Sequence, residues 1–228
     1  MAIFTIGDLH LSLNGKKPMD IFPGWQDYVQ RLEENWHALV SPEDIVVLAG
    51  DTSWAMSLSE CVEDFAFLHA LPGKKVLLKG NHDYWWCTMA KMERYLEEKK
   101  FSSISFLHNN CVQSEGIALC GTRSWLFDQG KPHDEKIMQR ECGRLIASLE
   151  AAKDAEKVVF LHYPPIYPRA DAQQVVEILK TYHVKRCFYG HLHGTAAHEL
   201  AVRGVCEGIE MKLISGDFIG FAPIKVTD

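Results

Sequence analysis

Five short apolar segments, spread along the chain, each lead into side chains of the types that bind metals in proteins. The segment Val76-Leu77-Leu78 is followed by Gly80-Asn81-His82-Asp83. The other four lead to Asp8 and His10, to Asp51, to His162, and to His191 and His193. Apolar runs of this length bounded by turn residues are typical of buried strands, and the carboxyl ends of parallel strands meet at one edge of a sheet. One such end is explained by an ordinary capped turn, but five together predict a ligand site.

Segments with helical spacing of apolar residues separate these strands. They run from about Trp25 to Val40, from Ser57 or Ser59 to His69, from about Asp134 to Lys153, and from about Ala172 to Tyr182. Strand and helix in alternation predict βαβ units with right-handed crossovers. After His193, apolar and polar residues alternate around Gly204 and Gly208, as in antiparallel hairpins. Because no repeat or linker interrupts the pattern, we expect residues 1–228 to form one domain.

Composition and charge exclude several classes of protein. The chain is 47% hydrophobic and 24% charged, as in ordinary globular proteins, and its net charge of −6 with no dense basic run makes nucleic acid an unlikely partner. No apolar run reaches the roughly 20 residues that cross a bilayer, and the amino terminus lacks the basic region of a signal peptide. We therefore expect a cytoplasmic protein without membrane contact. Seven cysteines without a Cys-x-x-Cys pair indicate reduced thiols.

The order Asp-x-His, Gly-Asp, Gly-Asn-His-Asp, His and Gly-His-x-His, between residues 8 and 193, resembles the calcineurin-like metallophosphoesterase superfamily. The resemblance implies an α/β fold: a four-layer αββα sandwich in which two mixed β-sheets are flanked by helices. That fold also accommodates the C-terminal hairpins.

The resemblance also implies a ligand set for two metal ions. One would be bound by Asp8, His10, Asp51 and His193, and the other by Asp51, Asn81, His162 and His191. Asp51 would bridge them, because a carboxylate has two oxygens to offer to ions roughly 3.5–4 Å apart. A mixed nitrogen and oxygen set suits manganese, iron or zinc better than calcium or magnesium.

The expected function is hydrolysis of a soluble phosphomonoester or phosphodiester by a metal-bridging hydroxide that attacks phosphorus in line. In the superfamily the position of His82 contacts phosphate and is thought to protonate the leaving group, as an imidazole can near pH 7. Asn81 and His82 are thus expected to contact a small-molecule phosphoester, with Arg123 as a further substrate contact. Asp83 or a carbonyl group is a possible partner that orients His82.

The sequence leaves other functions open. The chain reads Gly50-Asp51-Thr52-Ser53-Trp54 where serine/threonine phosphatases of the superfamily continue with Asp and Asp-Arg-Gly, which disfavours that activity. A nuclease and a catalytically silent interaction protein are the remaining alternatives.

Gly216-Asp217 is interpreted as a turn. The histidines outside the motifs are interpreted as structural or surface residues: His37, His69, His108, His133, His183 and His198. The aromatic residues near the motifs could stack on substrate or pack in the core: Trp54, Tyr84, Trp85, Trp86 and Trp125.

Overall fold

A computed structural model describes residues 1–126, 132–168 and 172–227. Its strands, in chain order, are β1 (Ile3–Ile6), β2 (Ile45–Ala49), β3 (Lys74–Leu78), β4 (Ile104–Phe106), β5 (Val112–Ser114), β6 (Ile117–Thr122), β7 (Glu156–Leu161), β8 (Arg186–Tyr189), β9 (Gly204–Cys206), β10 (Ile209–Leu213) and β11 (Ile224–Lys225). Its α-helices are α1 (Tyr28–Leu39), α2 (Val62–Ala70), α3 (Met89–Lys99), α4 (Pro132–Ala151), α5 (Gln173–Thr181) and α6 (Gly194–Leu200).

The strands form two mixed sheets. The first has the order β11-β1-β2-β3-β4, in which β1 to β4 are parallel and β11 runs antiparallel to β1. The second has the order β5-β6-β7-β8-β10-β9, in which the four inner strands are parallel and the two edge strands are antiparallel to their neighbours. The carboxyl ends of the inner strands therefore lie along one edge of each sheet.

The two sheets pack face to face with helices outside. Strand β2 shows the reason, since all five of its residues are apolar and buried. Val47 packs between the sheets with Phe160 and Phe188 of the second sheet, whereas Val46 and Leu48 face the core under the helices. Alternation along a strand sends successive side chains to opposite faces, so a strand covered on both sides must be apolar throughout. The fold is the expected four-layer αββα sandwich.

Helices α1, α2 and α3 cover the first sheet, and α4 and α5 cover the second. The expected helix after Ser57 begins as a 3₁₀ turn, Leu58–Cys61, before α2. The hairpin around Gly208 is confirmed, with β9 antiparallel to β10. Helix α6 was not predicted, because it is short and has no buried residue that would give an apolar period. Within the described ranges no helix is long and apolar enough to span a membrane.

Candidate metal centre

The loops after β1 and β2 hold the first group of predicted ligands in unusual backbone conformations. Asp8, His10 and Asp51 have φ values of 58°, 45° and 50°, in the left-handed region that costs most residues about 1 kcal/mol or more. The two loops support each other, since the N–H of Asp8 donates to Gly50 O (2.9 Å) and that of His10 to Asp51 O (2.8 Å). Strain of this kind concentrates at functional sites.

Asp83 ties the loop after β2 to the loop after β3. Its buried carboxylate accepts hydrogen bonds from the backbone N–H groups of Asp51 (2.9 Å), Thr52 (2.9 Å) and Gly80 (2.6 Å), and from the indole of Trp85 (3.0 Å). These donors occupy both of its oxygens. The suggestion that Asp83 orients His82 is therefore wrong; Asp83 fixes the backbone of the ligand loops instead.

The second sheet supplies imidazoles from the ends of β7 and β8. His162 Nδ1 lies 3.1 Å from Ala49 O, a carbonyl that can only accept, so the proton is on Nδ1 and Nε2 presents a lone pair. Asn81 Oδ1 lies 2.6 Å from that Nε2 and 2.9 Å from His191 Nδ1. Oxygen and nitrogen lone pairs thus converge on one point, which is an arrangement that a cation satisfies.

His193 is held in the same way by a residue that the sequence did not reveal. Its Nδ1 lies 3.1 Å from Asp217 Oδ1, and its Nε2 lies 3.3 Å from Asp8 Oδ1 and 3.2 Å from His10 Nε2. Asp217 also accepts the N–H of Gly194 (2.9 Å) and lies 3.4 Å from His198 Nε2. The interpretation of Gly216-Asp217 as a simple turn missed this contact. A Gly-Asp pair just after a strand was the available signal, because it repeats Gly50-Asp51.

All seven predicted ligands meet at the facing edges of the two sheets. Two groups have ligand atoms within 4.8 Å of one another: Asp8, His10 and His193, and Asp8, Asp51 and His162. Asp8 is common to both, whereas the resemblance gave the shared position to Asp51. Asp51 Oδ2 nevertheless lies 3.7 Å from His10 Nε2 and 3.5 Å from His162 Nε2, between the two groups. The mixed donor set fits a divalent transition metal.

The crowding of charges shifts the pKa values of these residues. Burial, and then the charge of Asp8, raise the pKa of Asp51 to about 8. Burial disfavours the charged form of His193, but Asp8 and Asp217 outweigh it and raise the pKa of His193 to about 10. Burial lowers the pKa of His191 to about 3. Bound cations would favour the carboxylate and the neutral imidazoles, so a metal resolves this conflict of charges.

His82 stands beside the ligands without joining either group. The backbone N–H of His82 donates to Asp51 Oδ1 (2.7 Å), and its ring Nδ1 lies 3.1 Å from the hydroxyl of Tyr84. Trp54 packs on it with ring centroids 4.5 Å apart, and stacks on His10 at 4.8 Å. Burial and then nearby histidines lower the pKa of His82 from its ordinary value.

Two other predicted site residues have partners outside the seven predicted ligands. Arg123 pairs with buried Glu141 at 3.3 Å and lies over the ring of Trp125. Trp85 is a core residue packed against Phe65. Among the histidines outside the motifs, His69 contacts Ser103, and the side chain of His133 lies outside the described residues.

The chain matches the calcineurin-like phosphoesterase family over residues 1–195 and belongs to it. The fold is similar to that of phosphopantetheinyl hydrolase from Mycobacterium tuberculosis (TM-score 0.60, 14% identity, 99% of this chain and 95% of the other). It is also similar to a protein of unknown function from Aquifex aeolicus (TM-score 0.52, 20% identity, 98% and 95%). A third similar structure comes from Thermus thermophilus (TM-score 0.53, 15% identity, 85% and 82%). No curated protein matches the chain in sequence.

Proposed function

We propose that the protein is a dinuclear metal-dependent phosphohydrolase. The observation that carries this proposal is the convergence of seven nitrogen and oxygen ligands, with the distal nitrogens of His162 and His193 already placed on acceptors. Such distal contacts fix the tautomer and direction of a metal-binding imidazole. Membership of a phosphoesterase family supports the reaction class.

In this proposal Asp8, His10, Asp51 and His193 hold one cation and Asp51, Asn81, His162 and His191 hold the other. Manganese, iron and zinc suit the donor set. Bound there, the cations supply Lewis acidity: they neutralise the phosphoryl oxygens and activate a water as nucleophile.

The chain's own residues complete the reaction. Asn81 and His82 contact the phosphoester in this proposal, and His82, which lines a cavity beside the centre, donates its proton to the ester oxygen as the bond from phosphorus to that oxygen breaks. The water supplies hydroxide to phosphorus and releases its remaining proton to solvent, the alcohol leaves with the proton from His82, and His82 takes up a proton from solvent, so charge and atoms balance. Tyr84 orients the His82 ring through Nδ1, which leaves Nε2 for the substrate. Burial lowers the pKa of His82 in the free protein; the charge of a bound phosphate would raise that pKa, and the charge of bound cations would lower it.

A soluble small-molecule phosphoester is the proposed substrate class. The stretch Gly50-Asp51-Thr52-Ser53-Trp54 lacks the carboxylate and arginine of the serine/threonine phosphatases, and Ser53 Oγ donates to buried Asp64 (2.5 Å). Arg123 does not replace that arginine, since it is paired with Glu141.

The test is a panel of phosphomonoesters and phosphodiesters assayed on protein stripped of metal and reloaded with Mn²⁺. Asp51→Asn should lower kcat/KM by about 1000-fold or more and reduce metal binding, because the shared carboxylate is lost. Asp154→Asn, in an exposed turn, is the matched control and should change neither. A fully metal-loaded protein with no turnover on any phosphoester would favour the catalytically silent alternative.

A further inference from the structure

A cavity of about 510 Å³ opens beside the metal centre. Its polar end is formed by His10, His82 and His193, which belong to the centre or adjoin it. Five apolar residues make up most of its wall, and Gly194 and Thr195 complete the lining: Met19, Phe22, Pro23, Trp25 and Trp54. The space is far larger than a phosphate group needs, so part of it faces whatever the phosphate is attached to.

The walls are held in place by the protein's own packing. Trp25 is buried and meets Tyr28 and Phe221 edge to face, with ring centroids 5.3 and 5.0 Å apart. Trp54 Nε1 lies 3.3 Å from the sulfur of Met19. Packing contacts with neighbouring residues therefore fix the tryptophans that line the cavity.

Phe22 is different, because 48% of its surface is exposed where it lines this cavity. Its backbone makes the hydrogen bonds of the turn, with Phe22 N–H donating to Met19 O (3.0 Å) and Trp25 N–H donating to Phe22 O (3.1 Å). The ring is not needed for those bonds. A half-exposed aromatic ring on the wall of an apolar cavity is a surface that a ligand can cover.

We propose that this cavity binds the leaving group of the substrate and that this group is apolar, with room for an aromatic ring. The inference rests on the proposed hydrolase function. The leaving group is assigned to the cavity because His82, the proton donor to the ester oxygen, forms part of its polar end. A polar leaving group would lose its water against Met19, Phe22 and Trp54 without gaining hydrogen bonds there.

The test compares 2-phenylethyl phosphate with ethyl phosphate on the Mn²⁺-loaded protein. Both release a primary alcohol, so the bond broken is matched and only the apolar extension differs. We expect kcat/KM to be at least tenfold higher for the phenylethyl ester. Phe22→Ala should lower the value for the phenylethyl ester about tenfold and should lower the value for the ethyl ester much less. Val205→Ala is the control: it removes an exposed apolar side chain on β9 that does not line this cavity, and kcat/KM should stay the same for both esters.

Equal kcat/KM for the two esters, or an equal fall for both in Phe22→Ala, would overturn the proposal. A second measurement separates it from the proposed function: saturable binding of 2-phenylethanol, followed by tryptophan fluorescence, should weaken in Phe22→Ala. If neither ester is hydrolysed but the alcohol binds in this Phe22-dependent way, the hydrolase function fails and the apolar site stands. If the alcohol does not bind and no preference is found, the site is refuted.

Discussion

The two sheets make unlike contributions to the centre. The first sheet supplies every oxygen ligand, on loops that are strained and tied together by backbone hydrogen bonds and by Asp83. The second sheet supplies imidazoles only, and these are aimed by acceptors, Ala49 O for His162 and Asp217 for His193. Oxygen ligands are thus positioned by the backbone, and His162 and His193 by hydrogen bonds from the ring nitrogen that faces away from the centre. One of those acceptors, Ala49, belongs to the first sheet, so the second set depends on how the sheets pack.

The largest expected effect comes from removing His82, which is assigned to proton donation, whereas the other imidazoles of the centre are assigned to metal binding. His82→Ala should lower kcat/KM by about 10²–10⁴-fold, because the proton donor is lost. Metal content, measured by elemental analysis, should stay unchanged, since His82 is not a ligand in this account. The loss should be smaller for 4-nitrophenyl phosphate, whose leaving group needs little protonation. An equal loss on all esters together with loss of metal would make His82 a ligand instead.

The next effect tests the support of the oxygen ligands. Asp83→Asn places an amide among donors that need an acceptor, and should lower the free energy of unfolding of the metal-free protein by about 3 kcal/mol. Metal affinity should fall as well, because the loops carrying Asp51 and Asn81 lose their common anchor. Chemical denaturation and metal titration measure the two effects.

Asp44→Asn is the matched control. Asp44 is another buried aspartate that accepts backbone N–H groups, from Ala2 (2.6 Å) and Ser41 (2.9 Å), but it lies at the opposite end of β2. It should reduce stability and leave metal affinity intact. If both variants weakened metal binding equally, the role assigned to Asp83 would be wrong.

A smaller effect is expected from Asp217, the acceptor that orients the imidazole of His193. Asp217→Asn should weaken metal binding by about 10–100-fold, the usual cost of losing the outer partner of a metal-binding histidine. The metal-free protein should also lose unfolding free energy, because the Asp217 side chain is only 5% exposed and its charge helps to raise the pKa of His193. Asp217→Glu, which keeps the charge, should recover part of the affinity. A large loss of stability with normal metal affinity would contradict the positioning role.

The smallest effect is a dependence of metal-free stability on pH. Between pH 6.5 and 8, folded Asp51 and His193 hold protons that the unfolded chain has released, since their pKa values are raised to about 8 and about 10. These two groups make stability fall as pH rises. The lowered pKa values of His10, His162 and His191 act in the opposite direction and offset part of the fall, so that about 1–2 kcal/mol remains over this range. Metal-loaded protein should lack this slope. Denaturation at several pH values, with and without Mn²⁺, provides the measurement; a rising slope in the metal-free protein would contradict it.

Much of the centre was predictable because it follows short-range rules. Apolar runs led to all seven predicted ligands, which the structure brings together, since each of them lies within a few residues of a strand end. Asp217 and Tyr84 could not be assigned, because their contacts depend on where the second sheet and the loop after β3 lie in three dimensions. Arg123 was placed near substrate by its neighbours in sequence, but its long side chain turns to Glu141, a partner 18 residues away. Helix α6 was missed because it buries nothing.

The number of ions that the protein binds tests whether the two sheets build a dinuclear centre. Metal-free protein equilibrated with Mn²⁺ should bind two ions per chain, and their electron paramagnetic resonance spectrum should show exchange coupling, because ions that share a carboxylate lie about 3.5–4 Å apart. Asp51→Asn should abolish that coupling. Binding of no ion, or of two ions without coupling in the unaltered chain, would contradict a centre built jointly by the two sheets.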